Sequence, residues 1–207
     1  MKQFKFHFGC FFLIIFLFLS TNQIKPQEVS LKPYGIESGI IKYKYSGSET
    51  GTSILYFDKW GNRSAMNMDT KANNKAKKGR VIFLKDYQYI FDPSDPDNGL
   101  KMKNPIIETL QKMDKPDYDK AVEELYSKMG MNRSGTEKFM DRDCIVYKSD
   151  NGKILIWNGI LMLMDMNYGG VETKQEVTSI DINKPVDEKY FEIPKNIKFS
   201  EMPMFGK

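Results

Sequence analysis

Residues 152–167 read Gly-Lys-Ile-Leu-Ile-Trp-Asn-Gly-Ile-Leu-Met-Leu-Met-Asp-Met-Asn. Each half of this stretch is apolar and rich in residues that are common in strands. Asn158 and Gly159 lie between the halves, and this pair suits a two-residue hairpin turn because both residues tolerate positive φ. The stretch therefore predicts two antiparallel strands, 153–157 and 160–167, joined by a tight turn.

The same pattern of short apolar or alternating runs separated by turn residues extends through most of the chain. In residues 39–45, Ile41, Tyr43 and Tyr45 occupy one face and two lysines occupy the other. Further strands are predicted at 52–59, 63–70, 80–84, 87–92, 135–140, 144–148, 173–181 and 190–193. Strands at such regular short spacing indicate a mainly β fold with one antiparallel sheet, either curled or sandwiched.

Two helices interrupt the strands in the middle of the chain. Asn104 can cap the first helix with Pro105 at its first position, and the second helix starts near Pro116 and ends before Gly130. Each helix carries one apolar stripe at helical spacing, so each should lay that side on the sheet. Two roles remain open for the pair: simple cover for the core, or a lid over a concavity of the sheet.

The N-terminal residues 1–22 have the pattern of a secretory signal peptide. Lys2 and Lys5 precede the uncharged apolar block 8–19, and small polar residues follow it. A helix over that block would be about 18 Å long, well short of the ~30 Å hydrocarbon core of a membrane. We therefore expect an exported protein, most simply a periplasmic one, with a secreted or surface-associated protein as the other outcomes of export. An uncleaved N-terminal anchor remains the alternative.

The chemical inventory of the exported chain argues against catalysis. The sequence has one histidine, His7, and two cysteines, Cys10 and Cys144. Removal of the signal leaves no histidine and one cysteine, which excludes a histidine-based triad and a histidine or cysteine metal cluster. The acidic stretch 92–99 lacks the spacing of a calcium loop. We expect no enzymatic activity, no cofactor and no metal.

The charge of the chain is nearly balanced, with 31 Lys and Arg against 27 Asp and Glu. This balance does not indicate nucleic-acid binding. One local basic run, 71–80, stands out, and its cationic residues are Lys71, Lys75, Lys77, Lys78 and Arg80. It is interpreted either as a solvated hairpin loop or as a docking patch for anionic lipid headgroups or an acidic partner protein.

The order of elements carries a family resemblance. The segments are Ser-Gly-Ile-Ile-Lys-Tyr at 38–43, Cys-Ile-Val-Tyr-Lys at 144–148, the hairpin 152–167, Val-Thr-Ser-Ile-Asp-Ile-Asn at 177–183 and Val-Asp-Glu-Lys-Tyr-Phe-Glu-Ile-Pro at 186–194. Together they resemble the LolA/LolB-like lipoprotein-sorting superfamily. The resemblance implies a half-open β-barrel whose mouth is closed by helices and whose cavity holds acyl chains. No lipid-gating arginine is carried over from the family.

This layout corresponds to a single β domain at 37–200, preceded by a lead-in segment at 23–36 and followed by a tail at 201–207. Methionines at alternating positions suit an apolar ligand because thioether side chains adapt to varied shapes. The candidate cavity lining is Tyr43, Met66, Met68, Trp157, Met162, Met164 and Met166. The candidate lid residues are Ile106, Leu110, Met113, Val122 and Leu125.

Two functions remain open for this domain. The first is a carrier that binds an apolar acyl chain between sheet and lid. The second is a protein-interaction module in which the same methionines fill the core and no ligand is bound.

Overall fold

The computed structural model describes residues 32–73, 75–84, 86–114 and 117–201. The predicted signal peptide and most of the lead-in segment lie outside the described residues. The strands are β1 Gly39–Gly47, β2 Glu49–Asp58, β3 Arg63–Ala72, β4 Lys75–Leu84, β5 Tyr87–Phe91, β6 Gly99–Lys103, β7 Asn132–Phe139, β8 Arg142–Ser149, β9 Gly152–Trp157, β10 Ile160–Tyr168, β11 Val171–Ile182 and β12 Phe199–Glu201. The helices are α1 Pro105–Gln111 and α2 Tyr118–Lys128, with short 3-10 turns at Lys59–Gly61 and Glu188–Phe191.

All the described strands form one open, curved sheet in the order β12-β6-β5-β4-β3-β2-β1-β11-β10-β9-β8-β7. Neighbouring strands are antiparallel, except that β12 runs parallel to β6. The prediction of a mainly β fold with a curved antiparallel sheet and two short helices is confirmed. None of the helices among these residues is long and apolar enough to span a bilayer.

Alternation along β1 places its apolar side chains in the larger part of the core. Ile41, Tyr43 and Tyr45 are buried, and they share a face of the sheet with Leu55 and Phe57 of the neighbouring β2. We call this the helix face, because α1 and α2 lie over it. Full burial of one such side chain stabilises the fold by about 1.5–3 kcal/mol.

The opposite, outer face is covered by the segment that connects β11 to β12. Phe191 and Ile197 of this segment are buried against Tyr56, Ala65 and Ile82. The ring of Tyr190 stacks on that of Tyr56 at a centroid distance of 3.8 Å. The predicted strand 190–193 is therefore wrong: the chain makes a 3-10 turn there, and the Asp187 carboxylate accepts a hydrogen bond of 3.0 Å from the Lys189 amide.

A β-bulge in β10 prevents its three methionines from sharing one face of the sheet. Leu161 pairs with Ile156 while Leu163 pairs with Leu155, so Met162 is an extra residue in the ladder. A bulge shifts the alternation by one position. Met162 and Leu163 consequently join the buried cluster that contains Leu155, whereas Met164 and Met166 join a second cluster beneath α2. The prediction that the three methionines of this strand share one face is wrong.

The basic run is mostly strand rather than loop. β3 continues to Ala72 and β4 begins at Lys75, so only the turn between them separates the two strands. Strand alternation places Lys75 and Lys77 on one face of β4 and Lys78 and Arg80 on the other. Arg80 donates a hydrogen bond of 2.7 Å to the carbonyl oxygen of Tyr190. The predicted docking patch is therefore divided between two faces.

Both helices begin at capping residues. The side chain of Asn104 accepts a hydrogen bond of 3.0 Å from the Ile106 amide, with Pro105 at the first position of α1 as predicted. Asp117 caps α2 in the same way through the Lys120 amide, at 3.1 Å. Gly130 follows α2 with a φ of 76°, which suits the residue that ends a helix.

Candidate ligand-binding cavity

A short N-terminal segment, residues 32–37, closes one end of the sheet, and we call it the strap. Its backbone is tied to two turns: the Tyr34 amide donates to the Trp60 carbonyl at 2.9 Å, and the Gly35 amide donates to the Asn158 carbonyl at 3.0 Å. A Cβ at Gly159 would lie 2.1 Å from the Pro33 carbonyl oxygen. The β9–β10 turn therefore needs glycine, because the strap passes too close for a side chain.

A cavity of about 590 Å³ lies between the strap, the two helices and the helix face of the sheet. Its volume falls within the ~300–1,000 Å³ that is usual for small-molecule sites. Its apolar lining comes from β4, β8 and β9 on the sheet side and from both helices. These residues are Phe83, Ile106, Val122, Leu125, Ile145 and Ile156.

Tyrosines form the second part of the lining: Tyr34, Tyr118, Tyr126 and Tyr147. The rings of Tyr126 and Tyr147 are in contact at a centroid distance of 4.8 Å, which joins α2 to β8. Burial raises the pKa of Tyr34 to about 12, even though the Ser64 side chain hydrogen-bonds it and acts in the opposite direction. Burial likewise raises the pKa of Tyr126 to about 12, and it also raises the pKa values of Tyr118 and Tyr147. All four hydroxyl groups are therefore protonated at neutral pH.

These tyrosines predict a loss of stability in strong alkali. A tyrosine in the unfolded chain ionises near pH 10, whereas the pKa of Tyr34 and of Tyr126 in the folded protein is about 12. Their contribution to the free energy of unfolding is complete below about pH 10 and is lost as the pH rises towards about 12. Urea unfolding at stepped alkaline pH should show this loss, and it should be smaller in the double variant Tyr34→Phe/Tyr126→Phe. An equal loss in both proteins would contradict the assignment.

Charged side chains surround the mouth of the cavity. The Arg133 guanidinium lies 2.9 Å from the Glu123 carboxylate, so this pair links β7 to α2. The Lys32 ammonium lies 4.4 Å from the centre of the Trp60 ring. The mouth is therefore polar, while the sheet side and the helix side of the interior are largely apolar.

Some of the residues that the sequence predicted for the site line the cavity, and others do not. Ile106, Val122 and Leu125 line the cavity, but Leu110 and Met113 do not. None of the seven predicted lining residues lies in the described wall of the cavity. Tyr43 and Met162 are fully buried, and Met66, Met164 and Met166 also pack in the core clusters.

The remaining two of those seven residues lie elsewhere. Trp157 packs against the core and faces the guanidinium of Arg142, at 4.7 Å from its ring centre. Met68 borders a shallower groove of about 320 Å³, together with Lys78 and Arg80. The residues that do line the cavity from the sheet are Phe83, Ile145 and Ile156, and all three lie in predicted strands. They were not predicted as lining residues, because alternation along a strand does not show which face of the sheet the helices cover.

The described residues contain neither a reactive thiol nor a metal-binding group of side chains. Cys144 is fully buried, and burial raises the pKa of its thiol, which keeps it protonated. No group of three or more histidine, cysteine, aspartate or glutamate side chains in the part of the chain that the structure describes is arranged to hold a metal ion. The groups that the cavity presents are apolar walls and phenolic hydroxyls.

Comparisons with known proteins give no family for the chain. No protein-family model matches it, and no curated protein matches it. Among solved structures, an uncharacterized conserved protein from Thermus thermophilus is 7% identical over 80% of this chain and 91% of that chain, with a TM-score of 0.49. A LolA superfamily protein from Nitrosomonas europaea is 9% identical over 77% and 92% of the two chains, with a TM-score of 0.34. LprF from Mycobacterium bovis is 10% identical over 80% and 92%, with a TM-score of 0.30. These matches assign neither a family nor a function.

Proposed function

We propose that this protein is an exported, periplasmic carrier that reversibly binds the acyl chain of a lipid or lipoprotein between its sheet and its helices. The observation that supports the proposal is the cavity of about 590 Å³ beneath α1 and α2. Six apolar side chains line it, from the sheet on one side and from the helices on the other.

The energetics of such a cavity suit reversible binding. Burying an acyl chain contributes about 0.8 kcal/mol for each methylene group. Ten buried methylenes would therefore contribute about 8 kcal/mol, before the cost of lost translational and rotational freedom is subtracted. The remainder corresponds to weak or moderate affinity, which allows a carrier to release its cargo.

The position of the helices would allow a ligand to enter the cavity. α1 and α2 connect β6 to β7, which lie in opposite halves of the sheet and are not paired with each other. Moving the helix pair away from the sheet would break the contact between Tyr126 and Tyr147 and the pair formed by Glu123 and Arg133. It would not break any hydrogen bond between strands. The helices can therefore act as a lid while the sheet stays intact.

A second candidate function is a protein-interaction module without a ligand. It is favoured by the tip of the β10–β11 hairpin, where Tyr168 and Val171 are 52% and 54% exposed. Exposed apolar side chains that lie together mark interaction surfaces more often than isolated ones do. Lys75 and Lys77, on the β3–β4 hairpin, remain a predicted docking point for an anionic surface.

Native mass spectrometry of the secreted protein, followed by organic extraction, tests the carrier function. We expect bound acyl species in the extract, and we expect a fluorescent fatty acid to compete for the same site. A clean apo mass, together with no uptake of the fluorescent fatty acid, would contradict the carrier function and favour the interaction module.

A further inference from the structure

The tyrosine hydroxyls of the cavity differ in their hydrogen bonding. The Tyr34 side chain is hydrogen-bonded to Ser64. The side chains of Tyr118, Tyr126 and Tyr147 also reach the cavity, and their hydroxyls have no hydrogen-bond partner among the described residues. Three donors in one cavity are therefore left for water or for a ligand.

These tyrosines line the same cavity, and the rings of Tyr126 and Tyr147 are in contact at a centroid distance of 4.8 Å. Ionisation of Tyr118 would be opposed first by its burial and then by the charges of Tyr34 and Tyr126, which raise its pKa. The pKa of Tyr126 is raised in the same way, by burial and then by Tyr147. Tyr34 belongs to the strap, Tyr118 and Tyr126 to α2 and Tyr147 to β8, so the strap, a helix and the sheet each contribute a phenol to the cavity.

Unpaired donors in a partly desolvated cavity are costly. A hydroxyl that loses its water without gaining an acceptor weakens binding. A plain alkyl chain filling the cavity would impose this cost at Tyr118 and Tyr126. A chain that brings an acceptor oxygen to the same place would instead gain a hydrogen bond, which raises the affinity about fivefold.

We propose that the hydroxyls of Tyr118 and Tyr126 donate hydrogen bonds to the carbonyl or carboxylate oxygen of the ligand, so that the polar end of the acyl chain is held inside the cavity. This inference rests on the proposed carrier function and specifies its ligand class. The cavity selects acyl chains, with their carbonyl oxygen, over alkyl chains of equal length. A free fatty acid and an ester-linked lipid share this chemistry.

A matched pair of lipids tests the selection. Palmitoyl lysophosphatidylcholine and its hexadecyl ether analogue have the same headgroup, and the ether lacks the carbonyl oxygen. We expect the wild-type protein to bind the ester about fivefold to thirtyfold more tightly, as one or two hydrogen bonds would give. The variant Tyr118→Phe/Tyr126→Phe should lose this preference: it should bind the ester less tightly than the wild type does, and it should bind the ether at least as tightly, because no hydroxyl then loses its water. Tyr168→Phe, on the exposed hairpin tip, is the control and should keep the preference.

The possible outcomes separate the two proposals. If the wild type binds both lipids equally, or if the double variant keeps the ester preference, the role of the hydroxyls is overturned and the carrier function stands. If the wild type binds neither lipid, the carrier function fails as well. Circular dichroism checks that the double variant is folded, and the two single variants replace it if it is not. Each single variant should then lose part of the preference.

Discussion

We expect the variant Val122→Trp to weaken the binding of a fluorescent fatty acid by at least about tenfold, which corresponds to about 1.4 kcal/mol. Val122 lies on α2, and its side chain lines the cavity between Ile106 of α1 and the sheet. An indole at this position would occupy the space that the acyl chain needs. Because the indole enters existing space rather than a packed core, the free energy of unfolding should fall little or should rise. Fluorescence titration measures the affinity, and urea unfolding measures the stability.

A matched control lies on the other side of the same helix. Ser127 is exposed, so Ser127→Trp adds an equal side chain to α2 without entering the cavity. This variant should bind the fluorescent fatty acid as tightly as the wild type does. Wild-type affinity in Val122→Trp would place the ligand elsewhere, for example in the groove of about 320 Å³ beside Met68 and Arg80.

The largest loss of stability is expected for Phe57→Ala, at about 3–5 kcal/mol. Phe57 is fully buried in β2, and its ring packs nearly perpendicular to the Tyr34 ring at a centroid distance of 4.8 Å. It also fills the space beside Gly39, where a Cβ would lie 2.8 Å from the ring. Removing the ring leaves a cavity in the core and releases the strap. Domains are stable by only about 5–15 kcal/mol, so urea unfolding would show a large shift in midpoint.

Tyr168→Ala is the control for this experiment, since it also removes an aromatic ring from a strand. Tyr168 is 52% exposed at the end of β10, and the change should alter stability by no more than about 0.5 kcal/mol. Similar losses in both variants would mean that the ring of Phe57 is not packed as the structure describes.

Much of the fold was predictable from local patterns. The alternation in 39–45, the Asn158-Gly159 turn and the proline after Asn104 each determine structure through neighbours in the chain, and β1, the β9–β10 hairpin and α1 form as expected. The β10 bulge was not predictable in this way. Its extra residue, Met162, is as apolar as its neighbours, so the composition of the strand gives no sign of a shift in pairing.

The candidate site was predictable on one side only. The apolar stripes of the two helices identified three lining residues, Ile106 on α1 and Val122 and Leu125 on α2, because spacing along a helix indicates which residues share a face. The sheet side depends on which strands the helices cover, and that is decided by contacts between distant segments. The strap was read only as a lead-in, since the need for glycine at Gly159 arises from the approach of Pro33 in three dimensions.

The pairing of β1 with β11 has a consequence for how the molecule is made. Gly39 lies opposite Ile182, so a strand near the start of the domain meets a strand near its end at the middle of the sheet. β1–β6 and β7–β11 each form from hairpins between consecutive strands. Closing the centre requires a very long chain loop, and such contacts form slowly. The cavity takes its walls from both halves, so it does not exist until the last long strand has been synthesised and has docked. A fragment of the chain that lacks β11 therefore cannot join the two halves of the cavity wall, and an acyl chain of the kind proposed could enter only after β11 has been made.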